Sequence, residues 1–75
     1  MVGGVRMKNI DDISMLSSAL YFAQRRNDYP LIVAYLNDFK PPTTIEGSYY
    51  NLLQELTSQN YLEISEKVID LLANI

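Results

Sequence analysis

The stretch Asn27-Asp28-Tyr29-Pro30-Leu31-Ile32-Val33-Ala34-Tyr35-Leu36 decides the fold class. Its second half, Leu31 to Leu36, is apolar and partly β-branched, and on propensity alone would suit a buried strand. Its first half argues the other way. Asp28 is a strong N-cap residue, and Pro30 fits a first helical turn, where its missing N–H would have had no partner. Ile32, Tyr35, Leu36 and Phe39 then fall on one side of a helix over residues 30–39. Lys40-Pro41-Pro42 stops it, because a residue that precedes proline avoids the α region.

On the N-terminal side, Ile13, Leu16, Leu20 and Ala23 recur at three- and four-residue spacing and predict a helix over 10–26. Asn9 or Asp11 can cap it, with Arg25 and Arg26 against the carbonyls of its last turn. On the C-terminal side, Thr43 and Glu46 have capping-box spacing and open a helix over 44–58, with Ile45, Tyr49, Leu52, Leu53 and Leu56 as its stripe. Gly47 weakens that helix by roughly 1 kcal/mol relative to alanine. Asn60 and Glu63 repeat the cap signature before a last helix over 61–73, with Ile64, Val68, Leu71, Leu72 and Ile75 in line. The expected fold is all-α: four short helices, arranged as two helical hairpins packed into a small bundle. Residues 1–8, which include Gly3 and Gly4, are expected to form a flexible tail, and residues 9–75 a single helical domain.

Composition excludes much chemistry. The 75 residues contain no His, Cys or Trp, so disulfides, thiolate and imidazole metal sites, and histidine or cysteine catalysis are impossible within the chain. Glu63, Glu66 and Asp70 share a helical face, but Lys67 sits among them and no calcium-loop pattern follows. No phosphate-binding glycine loop is present. The expectation is a protein that is not an enzyme and needs no cofactor. The net charge is −3. Residues 1–40 carry five basic and four acidic side chains, whereas residues 41–75 carry Lys67 against Glu46, Glu55, Glu63, Glu66 and Asp70. A nucleic-acid partner is not expected, since no basic cluster exceeds Arg25-Arg26, and the acidic second half suits a basic protein. No run approaches the ~20 apolar residues of a membrane span, and no signal-peptide pattern opens the chain; a cytoplasmic location is expected, with no membrane partner.

Tyrosine is the informative residue type: Tyr21, Tyr29, Tyr35, Tyr49, Tyr50 and Tyr61 make six in 75. Its large apolar body and polar tip suit surfaces that bury against a partner yet stay soluble alone. Tyr49 and Tyr50 are helical neighbours and cannot face one core together; Tyr49 lies in the stripe, so Tyr50 should turn outward. Ala19 to Ala23 and Leu31 to Leu36 are apolar nearly all round, more than a domain of this size buries easily, so either these helices form the centre of the four or Tyr21, Phe22 and Val33 complete an interface.

Two resemblances follow from these residues. Shifting the chain by 32 residues lays Asn27-Asp28-Tyr29 over Gln59-Asn60-Tyr61, Ile32 over Ile64 and Leu36 over Val68. That layout resembles helical-hairpin repeats of the tetratricopeptide kind, whose turn between paired helices is often polar-polar-Tyr. The Tyr49-Tyr50 pair and the acidic second half resemble the DNase-colicin immunity proteins, compact acidic helical inhibitors of basic nucleases. Asn51 follows the pair here, where that family has proline. The resemblance implies a small protein-binding domain of inhibitor or immunity type that occupies a partner's surface. Tyr21, Phe22, Tyr49, Tyr50, Glu46, Glu55, Glu63 and Glu66 are the candidate partner-binding residues. The alternative is a structural or adaptor role as a helical homodimer, or as a subunit of a larger assembly.

Overall fold

The computed structural model describes residues 13–74. The expected tail, the expected start of the first helix at residue 10 and the Ile75 end of the last stripe lie outside them. Four helices follow one another: α1 (Ile13–Arg25), α2 (Tyr29–Asp38), α3 (Glu46–Glu55) and α4 (Tyr61–Ala73). Leu31 to Leu36 are helical, so the strand alternative is settled by the proline start and the cap before it.

The first turn is built as its residues dictate. Asn27 takes a positive φ of 52°, a conformation asparagine tolerates better than most residues. The Asn27 and Asp28 amides donate back to the Gln24 and Ala23 carbonyls at 3.0 and 3.1 Å, the paired bonds of a Schellman ending. Asp28 Oδ1 then accepts from the Leu31 amide at 3.1 Å, capping α2, with Pro30 in its first turn. Two helix ends are satisfied within four residues.

The later starts differ from expectation. α3 begins at Glu46 and ends at Glu55, inside the predicted 44–58, and its N-cap is Ile45 with no side-chain cap bond. Thr43 is spent in a turn: the Ile45 amide donates to the Pro42 carbonyl and the Glu46 amide to the Thr43 carbonyl, so the capping box does not form. α4 starts at Tyr61 after Asn60, yet Asn60 makes no cap bond to α4. Its amide reaches backwards instead. Asn60 Oδ1 accepts from the Thr57 amide at 2.6 Å, and Asn60 Nδ2 donates to the Glu55 carbonyl at 2.7 Å. That carbonyl is among the last four of α3, which lack intrahelical partners. An asparagine can do this because it donates and accepts at once; the aspartate at the matching position 28 only accepts.

α1 packs on α2 and α3 on α4, giving the two hairpins, and α4 also lies against both α1 and α2. The core is Leu16, Leu20 and Ala23 of α1, Ile32 and Leu36 of α2, Phe39, Ile45, Tyr49 of α3, and Ile64, Val68 and Leu72 of α4. Every one of these lies at a predicted stripe position, and only Tyr49 among them carries a polar side-chain group. The matching turns of the two halves meet: the Tyr29 and Tyr61 rings stand edge to face with centroids 5.5 Å apart, and the Tyr61 hydroxyl donates to Asn27 Oδ1 at 3.4 Å. Among the described residues, Ser65 is buried alongside the apolar core although its side chain is polar. Its Oγ donates to the Leu62 carbonyl and accepts from Gln24 Nε2 at 2.7 Å, pinning α1 to α4.

Candidate functional site

Neighbouring tyrosines on α3 are separated by the helical register. Tyr49 is fully buried, while Tyr50 keeps 44% of its surface exposed. The Tyr49 hydroxyl donates to the Leu36 carbonyl at 2.7 Å, supplying a partner to one of the last carbonyls of α2. Its ring lies 5.5 Å from those of Phe39 and Tyr50. Burial, and secondarily the adjacent Tyr50 phenol, push the Tyr49 ionisation well above the usual value of 10.0. Tyr49 thus belongs to the interior and has no surface to offer; Tyr50 is the outward member of the pair.

On α1 the register treats Tyr21 and Phe22 alike. Leu20 and Ala23 take the core positions, and Tyr21 and Phe22 remain 50% and 52% exposed. Met15, 51% exposed, lies seven residues before Phe22 and therefore on the same helical face, with exposed Ser18 between them. The Arg26 guanidinium sits over the Phe22 ring at 5.2 Å. Tyr21 is one turn before Gln24, on the side of α1 that faces α4. Val33 of α2, the third candidate of the apolar surface, is half-buried.

The candidate acidic residues are all exposed but lie on different flanks. Glu46 is four residues before Tyr50 and shares its side of α3. Glu55 falls on the opposite flank, with Ser48 and Asn51. Glu63 pairs with Lys67 at 3.4 Å on the exposed surface of α4, and Glu66 accepts from Gln24 Nε2 at 3.4 Å beside α1. Two separate aromatic surfaces result, one on α1 and one around Glu46 and Tyr50 on α3. Sequence reasoning did not single out Met15, Leu62 (39% exposed), Ser65 or Gln24. Met15 and Phe22 share a seven-residue spacing that a search for outward stripes would have found. The Gln24–Ser65 bond links residues 41 apart and leaves no local signal.

Between α3 and α4 an open groove of about 450 Å³ is lined by Ser48, Asn51, Leu52, Lys67, Asp70, Leu71 and Asn74. Its walls carry one cation and one carboxylate over a leucine floor, and neither aromatic surface reaches it. Among the described residues no group of three acidic side chains is placed to hold a metal ion, and no helix is long and apolar enough to cross a membrane. Compared with protein-family models, curated proteins and solved structures, the chain matches none of them.

Proposed function

We propose that this chain is a non-enzymatic protein-binding domain of inhibitor or immunity type, acting by occupying a partner's surface. The observation that carries the reading is the division of the tyrosine pair. Tyr49 alone meets the needs of the core, and Tyr50 is left as a large aromatic anchor beside Glu46. Exposed tyrosines that folding does not use are the residue type on which interface energy concentrates. The acidic side chains Glu46, Glu55, Glu63 and Glu66 steer a basic partner and raise its association rate.

The test is capture of partners by the immobilised chain, followed by kinetics on the purified pair. Tyr50→Ala weakens that complex by about 2 kcal/mol, roughly thirtyfold, while leaving the helical spectrum intact. Glu55→Lys slows association, and added salt slows the wild type, because rim charges act on encounter. A partner held equally well by Tyr50→Ala would overturn this reading.

A second reading, a helical homodimer with an adaptor or structural role, is favoured by a different surface. Met15 and Phe22 leave α1 with an apolar outer face that α2 and α4 do not cover, and Tyr21 is half exposed beside it. Two-fold association lets one such face cover itself. Salt separates the readings, since an apolar contact keeps its strength as ionic strength rises.

A further inference from the structure

We propose that the groove between α3 and α4 takes the side chain of an arginine from a basic partner protein. The inference rests on the reading of the chain as a protein-binding domain and adds a second contact to it, away from Tyr50. Leu52 and Leu71, both half-buried, form the floor, and polar side chains stand on either wall. On α4, Asn74 Nδ2 donates to the Asp70 carbonyl at 2.8 Å, which orients the amide and leaves its Oδ1 open. Among the described residues the Asp70 carboxylate makes no hydrogen bond or ion pair, and neither do the side chains of Ser48 and Asn51 on the α3 wall. Lys67, the one cation of the groove, is engaged with Glu63 at 3.4 Å, so that pair adds no net charge. Glu55 extends the α3 wall, on the same flank as Ser48 and Asn51. The last turn of α4 holds no basic residue, so Asp70 stands against the negative end of the helix dipole without a counter-charge. A carboxylate there is unfavourable for the helix alone, and a bound cation removes the repulsion.

The open atoms select the head group. The Asp70 carboxylate, the Asn74 and Asn51 amide oxygens and the Ser48 hydroxyl all accept, and a guanidinium brings five N–H donors in a planar fork where an ammonium brings three. A carboxylate takes such a fork in a bidentate pair, and the neighbouring oxygens accept the remaining N–H groups. The methylene stem of an arginine lies along Leu52 and Leu71, as long cationic side chains do on apolar surface. The shape of the groove selects the source. At about 450 Å³ and open to solvent, it does not enclose a free small molecule as ligand pockets do, but it admits a side chain held out from a protein surface. The carboxylates of Asp70 and Glu55 supply the charge complementarity with a basic partner.

The test needs no identified partner. In an amide-resolved NMR titration of the full chain, Nα-acetyl-arginine N-methylamide should shift the backbone amides of Leu52, Asp70, Leu71 and Asn74. The citrulline analogue, which has the same shape without the charge, should bind roughly fivefold or more weakly. Salt at ~0.5 M should weaken the arginine probe and leave the citrulline probe unchanged. Asp70 is exposed, so Asp70→Asn should keep the helical spectrum while bringing the arginine probe down to the level of citrulline. Absence of shifts in the groove, equal binding of the two probes, or arginine binding that survives Asp70→Asn would each overturn the site. In the complex with a captured partner, Asp70→Asn should weaken affinity roughly fivefold, beside the larger loss from Tyr50→Ala. The two readings fail separately there. A partner indifferent to Asp70→Asn overturns the arginine site and leaves the Tyr50 anchor standing, and a partner indifferent to Tyr50→Ala but weakened by Asp70→Asn removes the anchor and supports the groove.

Discussion

Two pairs of adjacent aromatic residues, Tyr49-Tyr50 on α3 and Tyr21-Phe22 on α1, meet the same helical geometry with opposite results. On α3 the apolar stripe passes through the pair, so one ring is buried and the other exposed. On α1 the stripe passes on either side of the pair, through Leu20 and Ala23, and both rings are left half exposed. The difference separates what folding uses from what it leaves. The bundle takes one ring of the four, together with its hydroxyl, and leaves Tyr21, Phe22 and Tyr50 about half exposed.

The largest effect is expected at Tyr49, the one ring of the four that is fully buried. Tyr49→Ala opens a ring-sized cavity and should cost about 3–5 kcal/mol in urea denaturation, enough to leave much of a small domain unfolded. Tyr49→Phe keeps the ring and removes only the bond to the Leu36 carbonyl, and should cost about 1–2 kcal/mol. The same side chain sets an alkaline limit. Its folded-state ionisation lies above the unfolded value of 10.0, chiefly through burial, so the native state holds a proton that the unfolded state releases. Stability is therefore complete below pH 10 and falls as pH rises beyond it. Tyr49→Phe should flatten that decline in pH-dependent melting curves.

Smaller effects sharpen the contrast by showing where local chemistry, rather than core packing, is at work. Asp28→Ala removes the α2 cap and should lower stability by about 1 kcal/mol, whereas Asp28→Asn should cost less because it keeps an acceptor. Gly47→Ala adds a methyl group into open space in the first turn of α3 and should raise the melting temperature, by up to about 1 kcal/mol of stability. Tyr50→Ala should stay within about 1 kcal/mol of wild type in the same assay, since its ring is half in solvent.

The all-α class and the membership of the core were legible because both rest on periodicity. Leu16, Leu20, Ile32, Leu36, Tyr49, Ile64 and Val68 are buried where their spacing puts them. The Asn27 to Pro30 turn was legible too, because aspartate as an acceptor and proline without an N–H allow few alternatives. The starts of α3 and α4 were not. Thr43 and Asn60 each have more than one backbone group within reach, and the choice between forward capping and a backward bond depends on where the preceding segment ends. Asn60 closes the end of α3 because Leu56 has already left the helix with ψ 125°. The candidate binding residues were legible singly but not as surfaces. Residue type marked Tyr21, Phe22 and Tyr50, whereas packing decided that Glu46 accompanies Tyr50 and that Glu55 and Glu66 lie elsewhere.

The outward aromatics of α1 are half exposed and should contribute little to the fold of a single chain. Urea denaturation of the Tyr21→Ser/Phe22→Ser double variant at ~5 µM, beside wild type, tests this most directly. The two unfolding free energies should lie within about 0.5 kcal/mol of each other, as for ordinary surface changes. A loss above about 2 kcal/mol would contradict it, placing both rings among the residues that hold the bundle together.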